Sequence, residues 1–207
     1  MKTLAIKFIE KQIPYTGKDL RSHFIYDQFD FLGDALVAFA GPCEVTLDHM
    51  VDLEDVKLKR PIYSENMLHF LGEFYGIDLE TTVVYQRLLM ALMLEELRKR
   101  VSPSPQPMAS PPWRASPSRG EGDRIFRSGD DLYEGEAKLS VSIATLSPVS
   151  TLIHAGVNIS SKNTPVKTKG LDDFKIAAPE FAQSVLKKFQ EEFQDISKAV
   201  CKVRSVL

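Results

Sequence analysis

Four polar residues lie along two neighbouring apolar segments in the second half of the chain. Lys138 and Ser140 begin the first segment, and the second contains His154 and Asn158. Both segments alternate apolar with polar or small residues, as half-buried strands do, and the Ser-Pro pair at 147–148 indicates a turn between them. Lysine and histidine are residue types that suit the binding of anionic groups and proton transfer. The pattern predicts a polar cluster on a sheet, but it does not identify a reaction.

Two further segments could carry chemistry, each with a simpler alternative. Cys43 follows an apolar run and could be a nucleophile near His49 or His69, although a free cysteine is more often buried and inert. The acidic segment that follows could bind a divalent cation through oxygen ligands, but its spacing matches no known metal loop. We therefore predict a solvated acidic turn and no metal site for the residues His49, Asp52, Glu54 and Asp55.

Composition and length describe one folded domain. The chain has 207 residues, 43% hydrophobic and 26% charged, which is enough to bury a core without disulfide bonds or metals. A formal net charge of −2 gives no overall basic field for nucleic acid or an anionic membrane. Charges at Lys7, Glu10 and Lys11 interrupt any signal-peptide core, and no apolar stretch reaches the length of a membrane span. We expect a cytoplasmic protein with no membrane or nucleic-acid partner.

The predicted fold is α/β (α+β), a single mixed and largely antiparallel sheet packed by helices. Apolar runs predict strands near 4–9, 35–40, 137–145 and 149–159, and the segment 67–75 favours a strand without excluding a helix. His23 to Phe29 also suggests a strand, paired with the first across a turn at 14–17. The run at 35–40 is expected to end at Gly41-Pro42, where a loop begins.

Two stretches have helical spacing. Asp78 suits the N-cap of a helix over 78–100, and three basic residues in its last turn complement the helix dipole. A second helix is predicted from about 179 to 198, because Pro179 fits a first helical position. Its aromatic and aliphatic residues recur every four positions and predict a core-facing stripe of Phe181, Val185, Phe189 and Phe193.

Residues 102–122 differ in composition from the rest of the domain, which we take as 1–207. This stretch is rich in proline and serine and predicts a mobile surface insertion with little apolar area to bury. Only Trp113 would dock on the domain. Docking of a partner to a proline motif is the alternative, but such spacing arises easily in this composition.

The central segment resembles two groups of proteins. GPCEVTLDHMVDLEDV, MLHFLGEF, RSGDDLYEGEAKLSVSIAT and SPVSTLIHAGVN resemble the family called domain of unknown function 366. The order of Lys138, His154, Gly156 and Asn158 is more remotely similar to the biotin ligase, lipoate ligase and octanoyltransferase superfamily. That resemblance implies a fold like the core of class II aminoacyl-tRNA synthetases.

The resemblance also implies roles for individual residues. In the resembled enzymes the lysine contacts oxygens of an activated acyl group, where a fixed ammonium stabilises developing negative charge. We accordingly predict Lys138 and His154 as catalytic residues, with His154 or His69 transferring a proton or donating a hydrogen bond. The alternative is a lysine that caps a strand at the surface and a satisfied core histidine. The predicted substrate-binding residues are Arg127, Asp131, His69, Ser140 and Asn158.

The sequence also departs from these enzymes. A glycine-rich loop like those of the ligases does not precede the long helix, and the octanoyltransferase cysteine has no equivalent within 175–178. A thioester intermediate is therefore not expected there. Two hypotheses remain: a ligase-like or acyltransferase-like enzyme for a small carboxylate or acyl ligand, or a non-catalytic binding or assembly protein. A cavity beside Lys138 would favour the first. The sequence identifies no cofactor and leaves a homo-oligomer open.

Overall fold

The computed structural model describes residues 3–101 and 124–206. The predicted insertion at 102–122, with Trp113, lies outside the described residues. The described strands are β1 Ala5–Ile9, β2 Ala35–Val45, β3 Ile62–Phe74, β4 Ile125–Ser128, β5 Asp131–Glu134, β6 Ala137–Lys138, β7 Ser140–Leu146 and β8 Thr151–Asn158. The described helices are α1 Phe24–Phe29, α2 Leu53–Leu58, α3 Leu79–Val101 and α4 Ala178–Cys201.

The strands form a five-stranded mixed sheet and a smaller one. The large sheet has the order β1-β2-β3-β8-β7, in which only β1 and β2 pair in parallel. This confirms the predicted mixed, largely antiparallel sheet packed by helices. The expected neighbours β7 and β8 pair through a tight turn, in which the Ser147 N–H donates to the Ser150 carbonyl at 2.8 Å. The small sheet, with the order β4-β5-β6, was not predicted from the sequence.

Both long helices form where the spacing predicts them and cover one face of the large sheet. Asp78 accepts a hydrogen bond from the Thr81 N–H at 2.7 Å, as an N-cap does, and α4 has Pro179 in its first turn. The predicted stripe of α4 is buried in the core shared with α3. Burial of one such aromatic side chain contributes about 1.5–3 kcal/mol. None of the helices within the described ranges is long and apolar enough to span a membrane.

The segment from His23 to Phe29 forms the helix α1 with His23 at its N-cap, so the predicted strand is wrong. His23 adopts a left-handed conformation with φ of 60°. Its backbone N–H donates to both carboxylate oxygens of Glu73, at 2.8 and 3.1 Å. This contact with β3 fixes the start of α1, whose Phe24 and Ile25 side chains are buried. A seven-residue segment cannot show a helical period clearly, and its long-range tether is invisible in the sequence.

Strand β2 continues beyond the point where the sequence predicts a loop. Its pairing with β3 shifts between Gly41 and Cys43 and then resumes to Val45. A bulge of this kind lets Pro42 lie within a strand without losing a ladder hydrogen bond. Gly41 is required there, because a Cβ atom would lie 2.1 Å from the carbonyl oxygen of Ile13.

The two faces of the large sheet have different surroundings. Alternate residues of β2 pack toward α3 and α4 on one face, such as Leu36 and Ala38, while Val37 and Phe39 belong to a second core on the other. His154 belongs to this second face, since Ile153 and Ala155 on either side of it point into the helix core. His69, His154 and Asn158 therefore lie on the face away from the long helices, whereas Ser140 pairs with Val157, which belongs to the helix core.

Candidate functional site

Lys138 is held in place between the two sheets. It is the last residue of β6, where it pairs with Tyr133 of β5, rather than the head of β7. Its backbone N–H donates to the Lys167 carbonyl at 3.0 Å, and its carbonyl accepts from the Lys169 N–H at 3.2 Å. Segments before and after the β7–β8 hairpin therefore fix the backbone of this lysine.

The Lys138 ammonium forms an ion pair with Asp131. Nζ lies 2.7 Å from Oδ2, with 32% of the lysine and 16% of the aspartate side chain exposed. Burial raises the pKa of the Asp131 carboxyl, although the lysine charge and hydrogen bond oppose this rise. Burial lowers the pKa of Lys138, but the charge and hydrogen bond of Asp131 outweigh it and raise the pKa. The lysine is therefore a firmly charged cation.

Ser140 supports this ion pair. Its hydroxyl lies 3.3 Å from Oδ1 of Asp131 and donates to it, while it accepts from the Leu132 N–H at 2.8 Å. The serine thus orients the carboxylate that pairs with Lys138. Its predicted role in contacting a ligand remains a prediction.

Two cavities adjoin Lys138. The first, which we call the histidine cavity, has a volume of about 290 Å³ and is lined by Tyr15, His154, Val141, Asp131 and the α2 region. The second, the threonine cavity, has a volume of about 450 Å³ and is lined by Asn158, Ser140, Thr164, Thr168 and Lys167. Both cavities share the residues Asp55, Arg60, Ile62, Tyr133, Lys138 and Val141.

The charges differ between the two cavities. Acidic residues outnumber basic ones around the histidine cavity, where Asp52, Glu54, Asp55, Asp130 and Asp131 face only Arg60 and Lys138. The threonine cavity has the basic residues Arg60, Lys138 and Lys167 against Asp55 and Glu136. The second cavity is therefore the better environment for an anion.

A chain of hydrogen bonds lies beneath the histidine cavity. Nε2 of His69 lies 3.3 Å from the Gly41 carbonyl oxygen, and its Nδ1 lies 3.0 Å from Nε2 of His154. Burial lowers the pKa of His69 to about 3, against a smaller opposing effect of the Gly41 hydrogen bond. Burial, and secondarily the charge of His69, also lowers the pKa of His154. Both imidazoles are therefore neutral near pH 7.

Tyr15 stacks on His154 and lines the same cavity. The two rings stack with centroids 3.8 Å apart and an angle of 9° between their planes. The position of Tyr15 follows from its backbone, whose N–H donates to the Pro42 carbonyl at 2.9 Å and whose carbonyl accepts from Glu44. Burial raises the pKa of the Tyr15 hydroxyl, and the charges of Cys43 and Asp19 add to the rise. Tyr15 is therefore a neutral wall residue.

The predicted site residues separate into groups. Lys138, Asp131 and His154 line the histidine cavity, while Ser140 and Asn158 line the threonine cavity. His69 is fully buried beneath His154 and lines neither. Arg127 lines neither of these two cavities. It is an exposed residue of β4 and donates to the Gly129 carbonyl two residues away.

The alternative nucleophile and metal site receive no support from the geometry. Cys43 is fully buried and lines neither cavity, and burial raises the pKa of its thiol to about 12. A thiol in this state does not form the reactive thiolate near pH 7. Across residues 3–101 and 124–206, no group of three or more His, Cys, Asp or Glu side chains could hold a metal ion.

Sequence reasoning missed several residues of the site. Tyr15, Arg60 and Tyr133 line the cavities, and the threonines come from the segment after β8. Pairing of Tyr15 with Cys43 is long-range and leaves no local pattern. The basic and polar composition of 162–169 was a visible signal for the threonine cavity.

A family model matches the chain over residues 4–104 and 118–204, under the description "Domain of unknown function" with the number 366. The chain belongs to this family. A relative, an uncharacterized protein from Methanocaldococcus jannaschii, is 35% identical over 179 residues, which are 84% of this chain and 72% of that protein. A solved protein of unknown function from Pyrococcus horikoshii is 33% identical, with a TM-score of 0.83, over 99% of this chain and 100% of that one.

More distant solved structures share the fold. A biotin protein ligase from Aquifex aeolicus, in complex with biotin and ATP, has a TM-score of 0.57 at 14% identity and covers 96% of this chain and 73% of that one. A putative lipoate protein ligase from T. acidophilum, with bound lipoic acid, has a TM-score of 0.53 at 14% identity, over 93% and 87% of the two chains. At these identities the likeness concerns the fold alone.

Proposed function

We propose that this protein is an acyl- or carboxylate-handling enzyme of the ligase or transferase type, with Lys138 stabilising the reacting acyl group. The observation that carries the proposal is the position of Lys138 at the junction of two cavities. A cation at such a junction can contact two reactants at once and hold them in a reactive orientation. The solved ligases with bound lipoic acid, biotin and ATP support the choice of ligand class.

In this proposal the two cavities hold different parts of the reaction. The carboxylate or acyl group lies beside Lys138, with the rest of its molecule in the histidine cavity. An anionic co-substrate, such as a nucleotide, lies in the threonine cavity, where basic residues outnumber acidic ones. Asn158 is 5% exposed and lines this cavity. The amide is therefore available to that ligand.

Lys138 would act by electrostatic stabilisation rather than by proton transfer. Its raised pKa keeps the ammonium charged, so it donates hydrogen bonds to oxygens on which negative charge develops. Asp131 and Ser140 fix the direction of the ammonium and are positioning residues. The predicted catalytic role of His154 becomes one of hydrogen bonding, because a buried imidazole of lowered pKa is a poor proton carrier near pH 7.

One observation favours the second hypothesis, a non-catalytic binding protein. The 2.7 Å contact with Asp131 already neutralises much of the Lys138 charge. Such a pair can bind a ligand without stabilising a transition state strongly. The two hypotheses therefore differ in turnover and not in binding.

Exchange of labelled pyrophosphate into ATP, in the presence of lipoic acid, biotin or short-chain carboxylic acids, tests the enzyme hypothesis. The wild-type protein should catalyse exchange with at least one acid, and Lys138→Ala should reduce it by about 100- to 1000-fold. Lys187→Ala is the matched control, because this α4 lysine is 74% exposed and distant from both cavities. Equal exchange by the wild type and Lys138→Ala would contradict the proposed role.

Calorimetric titration with the same acids distinguishes a non-catalytic binding protein from an enzyme. Binding that depends on Lys138, without exchange of pyrophosphate or transfer of an acyl group to an amine or thiol, would indicate a binding protein. Absence of binding by every acid, alone and with ATP, would overturn the proposed ligand class.

A further inference from the structure

The two buried histidines have a fixed arrangement of protons. The Gly41 carbonyl can only accept a hydrogen bond, so Nε2 of His69 carries the proton. Nδ1 of the neutral His69 is then an acceptor, and Nε2 of His154 must donate to it across 3.0 Å. These tautomers are assigned from the hydrogen-bond partners. Nδ1 of the neutral His154 is therefore an unprotonated acceptor.

This acceptor has no partner within residues 3–101 and 124–206. His154 is 3% exposed and lines the histidine cavity, and its Nε2 is already used by His69. The stacked Tyr15 ring and the pairing of β8 with β3 and β7 hold the imidazole in one orientation. A ligand in the histidine cavity that supplies a donor to this acceptor gains a hydrogen bond, and therefore affinity, at this point.

The wall of the same cavity favours a positively charged donor. Asp55 carries no ion pair within the described chain, whereas Asp131 is paired with Lys138 and Asp130 lies 3.8 Å from Arg87. Asp52 accepts hydrogen bonds from the first turn of α2. The excess of acidic residues attracts a cation, while Lys138 at the junction attracts a carboxylate. A volume of about 290 Å³ suits a small molecule.

We propose that the histidine cavity selects a small amino-carboxylic acid, whose ammonium group donates to Nδ1 of His154 while its carboxylate faces Lys138. This inference rests on the proposed function, since it specifies the acid that the enzyme handles. His154 is then the residue that determines specificity, and His69 is a positioning residue that fixes its tautomer. An acid of the same size without a donor leaves the acceptor unpaired and binds more weakly.

Matched pairs of acids test this selection by calorimetric titration of the full-length protein. The pairs are γ-aminobutyrate with valerate, δ-aminovalerate with caproate, and ε-aminocaproate with heptanoate, so that chain length is scanned. The amino acid of at least one pair should bind about tenfold or more tightly than its partner. γ-Hydroxybutyrate, a neutral donor, should fall between γ-aminobutyrate and valerate. His154→Phe, which keeps a ring but no nitrogen, should abolish the preference.

Heteronuclear NMR of the histidine rings can be measured on the wild-type protein, so it does not require any variant to fold. The free protein should show both histidines as neutral Nε2–H tautomers, and the bound amino acid should shift the Nδ1 resonance of His154. His69→Phe, which removes the acceptor for His154, should allow the other tautomer and reduce the preference for amino acids. A protonated Nδ1 on His154 in the free protein would overturn the inference.

The binding outcomes also separate this inference from the proposed function. Equal affinity for both acids of every pair, with binding lost in Lys138→Ala, overturns the donor selection alone. Absence of binding by all acids overturns both. In Lys138→Ala the affinity for each acid should fall while the ratio within a pair persists, because His154 and not Lys138 contacts the donor.

Discussion

Two lysine–carboxylate clusters in this protein are alike in geometry and different in surroundings. Lys138 lies 2.7 Å from Asp131, and Lys188 of α4 lies 3.1 Å from Glu96 of α3, with lysine side chains 32% and 27% exposed. Arg100 also contacts Glu96, at 2.8 Å. The first cluster adjoins two cavities, whereas the second joins two helices. Ion-pair geometry therefore does not distinguish a site from a structural contact, and the space around the pair does.

The largest effect is expected at the helix cluster. Glu96→Ala should lower the free energy of unfolding by about 2–3 kcal/mol, because Lys188 and Arg100 lose their buried carboxylate and keep only the more exposed Glu95 and Glu180. Urea denaturation measures this loss. The Lys138 site should keep its ligand affinity, since α3 and α4 cover the opposite face of the sheet. Reduced affinity in a folded Glu96→Ala protein would show that the two clusters are coupled.

The Lys138 cluster should behave differently in a double-mutant comparison. Lys138→Ala should cost about 1–2 kcal/mol of stability, because the largely buried Asp131 loses its counter-ion. Addition of Asp131→Asn should recover most of this stability by removing the unpaired charge, but it should not recover ligand binding. Denaturation and calorimetry of the two variants check both statements. Recovery of binding in the double variant would refute a direct contact of Lys138 with the ligand.

The two carboxylates should give opposite pH dependences. Burial raises the pKa of Glu96, but hydrogen bonds from Lys188 and Arg100 and their charges outweigh it and lower the pKa. Its stabilising contribution is present above the unfolded pKa of about 4.3 and is lost as the pH falls. The pKa of Asp131 is raised, so its ionisation opposes folding above that pKa, and acidification relieves this cost.

Urea denaturation between about pH 6 and pH 3, where carboxylates titrate, can measure how the free energy of unfolding changes with pH. The stability difference between wild type and Glu96→Gln should shrink as the pH falls, whereas that between wild type and Asp131→Asn should shift in favour of wild type. If both stability differences changed with pH in the same direction, Lys138 would lower the pKa of Asp131 as Lys188 and Arg100 lower that of Glu96.

The smallest effect is expected at a lysine that lies neither beside a cavity nor in a buried helix–helix contact. Lys187 is 74% exposed and lies 3.9 Å from Glu191, one helical turn away on α4. Lys187→Ala should change the free energy of unfolding by no more than about 0.5 kcal/mol and leave binding unchanged. A larger change in thermal and urea denaturation would indicate that exposure is a poor guide to these lysines.

Much of the fold could be predicted because its signals are local. Periodicity located β7, β8, α3 and α4, and the Ser-Pro pair located the turn between the two strands. The sequence of the short helix α1 does not reveal it, because the contact of His23 with Glu73 joins residues 50 positions apart. The continuation of β2 has no local signal for a similar reason, since its bulge depends on the approach of Ile13 to Gly41.

The site was only partly predictable for the same physical reason. The sequence order placed Lys138 and His154 near each other, but it could not show that they reach one cavity from different sheets. The hydrogen bond between His69 and His154 joins residues 85 positions apart, through the pairing of β3 with β8. Tyr15 comes from an irregular segment without any period. The order of polar residues along the sequence can indicate a site. The tautomers of its histidines and its second cavity depend on pairing between distant strands, which the sequence does not show.

The two-residue strand β6 makes the site depend on contacts between distant parts of the chain. Lys138 is bound by backbone hydrogen bonds to Lys167 and Lys169, about 30 positions later in the chain, and it pairs with Tyr133 in the small sheet. A partly folded chain that has only the β7–β8 hairpin would carry the lysine without its counter-ion or its cavities. Local opening of residues 167–169 would likewise dismantle the cation site while both long helices stayed packed. Amide hydrogen exchange at Lys138 and Lys169 would therefore report the assembly of the site separately from the global stability of the domain.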